Sequence, residues 1–193
     1  MGYLDQKQLY LKHLYFLAAF AGIIVIELFY REPLFNYSDY FISQFVPTYL
    51  MTPVLTAILH SFSIFGAGAA YFVVCLLAMN WYSRGRTVYY FLFLSSMLTI
   101  QNAMKIGYHE ARPFMAFANS SAIGCSHEYG NPSGHSLFSA GFAIFLFLDF
   151  FGGAQKNGRY WISLLAANLY WLIMGFARIY QGVHTINQVF YGW

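Results

Sequence analysis

The sequence alternates between long apolar runs and short polar segments. Five runs of 14 to 22 residues hold most of the apolar character, and two of them contain a single charged residue, Glu27 in the first and Asp149 in the fourth. The runs comprise residues 15–30, 60–81, 88–104, 138–151 and 160–177. A helix needs about 20 largely apolar residues to cross a bilayer, and the runs reach this length with their flanks. We therefore predict five membrane-spanning helices, and residues 186–193 predict the start of a sixth.

The composition supports a membrane protein and excludes an ordinary soluble domain. Hydrophobic residues make up 59% of the 193 residues and charged residues only 9%, whereas a soluble domain carries about 25% charged residues. We therefore predict a single integral membrane domain over residues 1–193, all-α and polytopic, with the lipid bilayer as its surroundings. We expect no nucleic-acid partner, and the sequence leaves the oligomeric state open.

Basic residues are distributed unevenly between the two ends of the predicted bundle. One end carries six of them and the other carries four. The first group is Lys7, Lys12, Arg84, Arg86, Lys156 and Arg159, and the second group is Arg31, Lys105, Arg112 and Arg178. Because positive residues favour the cytoplasmic side, we expect the second end to face the lumen or the exterior.

Three polar groups interrupt the apolar pattern, and the helix count places all three at this second end. Lys105 ends the third run, and Arg112 follows seven residues later. The turn at residues 131–135, Asn-Pro-Ser-Gly-His, opens the fourth run. Arg178 ends the fifth run, and His184 follows six residues later. Ionisable residues at membrane depth are costly, so we interpret the three groups as one functional site.

These residue types fit phosphoryl transfer, whose transition state spreads negative charge over three equatorial oxygens. Three cations are available to surround these oxygens: Lys105, Arg112 and Arg178. Ser133 and Gly134 precede the fourth helix, and a helix N-terminus presents free backbone amides to an anion. The Ser133 hydroxyl adds a donor, and Gly134 allows close approach of the backbone. His135 and His184 supply the two remaining roles, a nucleophile and a proton donor.

Together the three groups resemble the three-part signature of the type 2 phosphatidic acid phosphatase superfamily. The matching segments are Lys105-x6-Arg112-Pro113, Pro132-Ser133-Gly134-His135 and Arg178-x5-His184. This superfamily includes lipid phosphate phosphatases, sphingosine phosphate phosphatases, glucose-6-phosphatases and the soluble vanadium haloperoxidases. The resemblance covers residues 105–188. It implies a haloperoxidase-like helical core, here five spans plus the start of a sixth, with the motif-bearing part in residues 88–193.

The resemblance also implies a mechanism that needs no metal and no cofactor. His184 would attack phosphorus and form a phosphohistidine, and His135 would protonate the leaving oxygen. The three cations, with Ser133 and Gly134, would hold the five-coordinate phosphorus, because fixed positive groups do the electrostatic work of a metal.

Two positions depart from the superfamily pattern. Ala177 stands where the family usually has Ser, and Gln188 stands where an Asp usually orients the nucleophilic His. Gln188 can accept a hydrogen bond from His184 but brings no charge, so we predict it as the orienting residue. Glucose-6-phosphatases, as the resemblance implies, also carry Gln at this position. Glu110 is expected either to pair with Arg112 or to be solvated.

The function predicted from these features is a phosphoric monoester hydrolase of the membrane. Its substrate would be a lipid phosphate or a sugar phosphate. The alternative is a catalytically inactive family member that acts as a structural or accessory subunit of a membrane complex. The family resemblance further suggests a role in lipid metabolism and the endoplasmic reticulum, with the site facing the lumen.

Overall fold

The chain, described by a computed structural model over residues 3–78, 84–124 and 126–193, is a bundle of helices. Within these ranges the structure contains no strand, which confirms the all-α prediction. The helices are α1 (Tyr3–Tyr40), a π-helix (Phe41–Leu50), α2 (Pro53–Ile64), α3 (Gly68–Ala78), α4 (Arg84–Tyr108), α5 (Pro113–Ala116), α6 (Gly134–Phe151), α7 (Gly158–Tyr180) and α8 (Ile186–Gly192). The short α8 lies where the sequence predicts the start of a sixth helix.

Three stretches of the described chain are long and apolar enough to cross a membrane: Tyr10–Leu50, Gly134–Phe151 and Gly158–Tyr180. A fourth results if α2 and α3 together form one bent span. The predicted third run lies within α4, a helix of 25 residues. These helices make the chain an integral membrane protein, while the count of five spans stays a prediction.

The second predicted span is broken rather than continuous, which corrects the sequence interpretation. The apolar run at 60–81 begins inside α2 and continues in α3, and the two helices meet at an angle of 56°; residues 79–83 lie outside the described part. Gly66 lies in the break, and a Cβ atom there would approach Sδ of Met174 to 2.3 Å. The missing side chain therefore lets the break pack directly against α7.

The first helix is longer than a membrane requires. Residues Tyr10–Leu50 form a stretch of 41 residues, about 60 Å at 1.5 Å per residue, against a hydrocarbon core of about 30 Å. Its second part packs on protein: the Ser38 hydroxyl is fully buried and accepts a 2.9 Å hydrogen bond from the backbone N–H of Ile186. This contact ties the start of α8 to α1.

Aromatic side chains from α3, α4 and α6 fill the core between these helices. Phe138 and Leu94 are almost completely buried, and Tyr71 packs on Phe138 and Phe142 with ring centroids 5.9 and 5.0 Å apart. In a bilayer such helices associate through close van der Waals packing rather than through the hydrophobic effect. This packing fixes the position of α6 against α4.

The helix ends that carry the three polar groups meet at one end of the bundle. Lys105 lies in the last turn of α4, His135 in the first turn of α6, and Arg178 in the last turn of α7. His184 lies in the short link between α7 and α8. All four line a single cavity, so the predicted convergence of the three groups is confirmed.

Candidate active site

The cavity at this end has a volume of about 310 Å³ and combines positive charge with two imidazoles. Six of the residues predicted from the sequence line it: Lys105, Arg112, Gly134, His135, Arg178 and His184. Gln101 and Glu128 also contribute polar atoms. Among the residues that the structure describes, no group of three or more His, Cys, Asp or Glu side chains is placed to hold a metal ion.

Arg112 is the most extensively bonded of the three cations. It is 3% exposed, and its Nε donates to the carbonyl of Glu128 at 2.8 Å while its Nη1 donates to the carbonyl of Val183 at 3.2 Å. The same Nη1 lies 3.3 Å from Nε2 of His184. The planar guanidinium therefore joins the loop before α6 to the link that carries His184.

Arg178 is held on its other side by the broken helix pair. Its Nη1 donates to Oγ of Ser63 at 2.7 Å and to Oε1 of Gln181 at 2.8 Å. Its Nε is buried and has no hydrogen-bond partner among the described residues. An unpaired buried donor is costly, so this N–H is suited to an oxygen ligand. Because Ser63 lies at the end of α2, the break between α2 and α3 helps to place the cation.

His184 is almost completely buried, and both ring nitrogens have partners. Its Nδ1 lies 3.1 Å from Oε1 of Gln188, and its Nε2 faces Arg112. Burial, together with the positive charges of Arg112 and Arg178, lowers the pKa of His184 well below its ordinary value of 6.5. The imidazole is therefore neutral at physiological pH, as a nucleophile requires.

His135 reaches the cavity from the N-terminus of α6 and packs against the break between α2 and α3. A Cβ atom at Gly66 would lie 3.0 Å from Cδ2 of His135. A larger side chain at position 66 would therefore displace the ring. The position of the predicted general acid thus depends on the glycine at position 66.

Ser133 and Gly134 have structural roles besides the phosphate-binding role predicted for them from the sequence. The Ser133 backbone N–H donates to the carbonyl of Gln188 at 2.9 Å, and its hydroxyl caps α6 by accepting from the backbone N–H and hydroxyl of Ser136 at 3.5 and 3.0 Å. Ser133 is fully buried and lies outside the cavity lining. A Cβ atom at Gly134 would come within 2.7 Å of Nε2 of Gln101. The absence of a side chain therefore admits Gln101 to the cavity wall.

Glu128 pairs with two of the cations. Its Oε2 accepts a short hydrogen bond from Nζ of Lys105 and lies 4.0 Å from Nη2 of Arg112. The hydrogen bond from Lys105 lowers the pKa of the Glu128 carboxyl, and the charges of Lys105 and Arg112 act in the same direction. The Glu128 side chain is 63% exposed, so this carboxylate touches the cation cluster from the solvent side.

Glu110 differs from both expectations, because it neither pairs with Arg112 nor is simply solvated. Its carboxylate accepts hydrogen bonds from three side-chain amides at 2.7–3.0 Å: Asn131, Asn187 and Gln188. Gln188 is also the N3 residue of a capping box at the start of α8, with Thr185 as the N-cap. The sequence Thr-x-x-Gln at 185–188 carries this signal, whereas nothing local points to Glu110.

Comparison with protein families decides the ancestry of this site. The profile of the PAP2 superfamily matches residues 85–193, which is more than half of the chain. The chain belongs to the PAP2 superfamily. The match begins three residues before the predicted motif-bearing part, 88–193, and includes all three polar groups.

Two solved structures share the fold of this PAP2 protein. The first transmembrane PAP2 type phosphatidylglycerolphosphate phosphatase from Bacillus subtilis has a TM-score of 0.72 and 17% identity, over 91% of this chain and 87% of that chain. LpxE from Aquifex aeolicus has a TM-score of 0.63 and 19% identity, over 80% of this chain and 84% of that chain. At these identities the likeness shows the fold. A comparison with curated proteins finds no significant match.

The PAP2 assignment explains why the cations and imidazoles converge, and it supports a membrane phosphatase. One departure from the family pattern is now visible in three dimensions. Ala177 is fully buried and packs with Val46, Leu59 and Tyr180, on the side where α2 and the π-helix meet α7. The position therefore forms part of an apolar cluster in this PAP2 chain.

Proposed function

We propose that this PAP2 protein is a metal-independent phosphatase that hydrolyses a phosphomonoester through a phosphohistidine on His184. The observation that carries the proposal is the single cavity that holds three cations and two imidazoles. Positive groups fixed before the reaction begins stabilise the charge of the five-coordinate phosphorus without reorganisation. The domain would comprise residues 1–193, with catalysis in 88–193.

The reaction would proceed in two displacements. In the first, the lone pair on Nε2 of His184 forms a bond to phosphorus while the bond to the leaving oxygen breaks, and His135 gives that oxygen a proton. In the second, a water oxygen attacks phosphorus, the N–P bond breaks, and His135 takes the proton from the water. Lys105, Arg112 and Arg178 would hold the phosphoryl oxygens in both steps.

A lipid phosphate is the substrate class that the cavity walls favour. Part of the cavity lining is apolar: Ala67 just before α3, Ala69 in α3, Leu98 in α4 and Phe138 in α6. Leu98 is 39% exposed on a helix of the bundle, where an acyl chain would lie. One of the two structural neighbours is named a PAP2 type phosphatidylglycerolphosphate phosphatase. A sugar phosphate is the second candidate, and the assay below separates the two.

Phosphate release by the purified protein in excess chelator tests the proposal. We expect turnover of phosphatidylglycerol phosphate, phosphatidate or sphingosine phosphate in mixed micelles, and slower turnover of glucose 6-phosphate. His184→Ala should reduce the rate by about 10³-fold or more, since it removes the nucleophile. His60→Ala, an exposed histidine of α2, is the matched control and should retain the rate.

Two outcomes would contradict the proposal. Turnover that disappears in chelator and returns with added magnesium would contradict metal independence. No turnover of any of the four substrates by a protein with an intact melting transition would favour the accessory-subunit alternative.

The location of the site is a further part of the proposal. The charge bias of the loops supports a cavity on the non-cytoplasmic side, and the endoplasmic reticulum is the proposed organelle. Asn119 is exposed in the loop before α6 and begins an Asn-Ser-Ser sequon. In a eukaryotic host, glycosylation that is lost in Asn119→Gln would support a lumenal loop. A loop that is found on the cytoplasmic face of the membrane would contradict the proposal.

A further inference from the structure

The carboxylate of Glu110 lies behind the nucleophile, outside the lining of the phosphate cavity. Its Oε1 accepts from Nδ2 of Asn187 at 2.7 Å and from Nε2 of Gln188 at 2.8 Å, and its Oε2 accepts from Nδ2 of Asn131 at 3.0 Å. The amides come from the start of α8 and from the turn before α6. The chemistry proposed above gives this group no role.

The contacts of Gln188 fix which way its side-chain amide points. Its Nε2 donates to Glu110 and to the carbonyl of Ala111, both at 2.8 Å. Its Oε1 lies 3.3 Å from the backbone N–H of Thr185, a group that can only donate. Two acceptors on one side and an obligatory donor on the other make the reversed amide unfavourable.

The fixed amide in turn fixes the tautomer of the nucleophile. Oε1 of Gln188 faces Nδ1 of His184 at 3.1 Å, so Nδ1 must carry the hydrogen and donate it. Nε2 then carries the lone pair, and Arg112 Nη1 lies 3.3 Å from it. The imidazole is thereby held with its unprotonated nitrogen towards the phosphate cavity.

We propose that Glu110 is a positioning residue for His184, acting through Gln188, and that it supplies the negative charge that Gln188 itself lacks. The proposal rests on the function proposed above. When Nε2 bonds to phosphorus, the ring keeps its Nδ1 hydrogen and gains positive charge. A carboxylate two hydrogen bonds away stabilises that charge, while the amide between them keeps the geometry.

The charged groups around His184 are arranged asymmetrically. Arg112, Arg178, Lys105 and His135 all face the ring from the cavity and disfavour its positive form. Glu110 faces it from the opposite side through Gln188. Glu110 has acidic and basic neighbours of its own: Glu27 accepts from the same Asn131 amide at 3.1 Å, and Arg31 lies 3.8 Å from Glu27.

A charge exchange between positions 110 and 188 tests the proposal. Glu110→Gln removes the charge and keeps the size, and we expect kcat to fall about 10- to 100-fold with KM within about twofold. The double variant Glu110→Gln, Gln188→Glu returns a carboxylate to the pair and places it directly on Nδ1. We expect it to recover most of the lost kcat. Glu32→Gln, an exposed acid of α1, matches the change in net charge and should leave kcat unchanged.

The pH profile gives a readout that a purely structural role would not move. Loss of a nearby negative charge disfavours the imidazolium and lowers the pKa of His184. The acid limb of kcat/KM should therefore move to lower pH in Glu110→Gln and return towards higher pH in the double variant. Glu110→Asp keeps the charge, so its acid limb should stay near the wild-type position even if the shorter side chain lowers kcat.

The outcomes separate this proposal from the proposed function. No turnover by the wild-type protein would overturn the function. An active wild type with unchanged kcat in Glu110→Gln would overturn the role of Glu110, and so would a double variant with no recovery. A lowered melting temperature with an unmoved acid limb would reduce Glu110 to a structural residue. If Glu110→Gln does not fold, the double variant is compared with Gln188→Glu alone, which differs from it only in the charge at position 110. An acid limb at lower pH in the double variant would support the proposal, and the same acid limb in both would overturn the electrostatic role of Glu110.

Discussion

The two sides of His184 are built from different chemistry. On the Nε2 side lie cations with capacity for a ligand: Arg178 keeps a buried unpaired N–H, and Lys105 and Arg112 share a carboxylate that is 63% exposed. On the Nδ1 side lies a network in which Gln188 and Glu110 join a backbone N–H, a backbone carbonyl and two further amides. The first side is suited to binding and releasing an anion, and the second to holding one geometry.

The difference between the two sides shows how the site can concentrate positive charge and still hold His184 in one orientation. Three cations around one small cavity repel each other, and burial makes this more costly. The loop that contributes Glu128 offsets this repulsion from the solvent side, where a substrate phosphate can replace the carboxylate. The amide network offsets it on the other side without placing a competing anion in the cavity.

The largest effect is expected for Arg112→Ala, which removes a cation from the Nε2 side. Loss of its contacts to His184 and to the Glu128 and Val183 carbonyls should lower kcat/KM by about 10³-fold. We expect vanadate to inhibit the wild-type protein, because vanadate mimics the five-coordinate phosphorus, and Arg112→Ala should abolish this inhibition. Removal of a neighbouring positive charge also raises the pKa of His184. The acid limb of any residual activity should therefore move to higher pH. This shift is opposite in sign to that expected for Glu110→Gln.

The matched control is Arg159→Ala, an exposed arginine at the far end of α7. It should leave both rate and vanadate inhibition intact. Arg112→Ala with kcat/KM within threefold of wild type would remove the distinction between the two sides of His184.

A smaller effect is expected for Glu128→Gln, which weakens the internal competitor for the cations. Both cations are buried, but the Glu128 side chain is 63% exposed and solvent screens its charge. KM should therefore fall by only about two- to fivefold, and vanadate should bind more tightly. In the wild-type protein, lowering the pH below the depressed pKa of the Glu128 carboxyl should have the same effect. The neutral carboxyl no longer competes with the substrate phosphate for the cations. Glu32→Gln serves as the control, and a raised KM in Glu128→Gln would show that this carboxylate contacts substrate.

The smallest effect on activity is expected for Ser133→Ala. Loss of an N-cap costs about 1 kcal/mol, so the melting temperature should fall while kcat/KM stays near the wild-type value. Asn157→Ala removes the N-cap of α7 at the opposite end, where the side chain accepts from Tyr160 N–H at 3.1 Å, and should give a similar loss of stability. A fall in kcat/KM of tenfold or more at unchanged stability would instead support the phosphate contact that the family resemblance implies for Ser133.

The sequence alone predicted the helical membrane fold and six residues of the cavity lining, among them its three cations and two imidazoles. Long apolar runs specify helices in a bilayer because every backbone polar group must be satisfied within the segment. The break between α2 and α3 was missed because the run at 60–81 carries no formal charge and reads as one span, and hydropathy does not register a bend of 56°. The glycine at position 66 was visible, but its contact with Met174 and His135 was not.

The sequence by itself determined which residues carry the proposed chemistry, because three cations and two histidines interrupt the apolar pattern at the ends of the predicted helices. Only the tertiary structure decided how His184 is held, because Glu110 and Gln188 are 78 positions apart and no local pattern links them. Local spacing specifies helices and their ends. The partner of a buried polar group is fixed by packing between elements. This packing exists only when the whole bundle has formed.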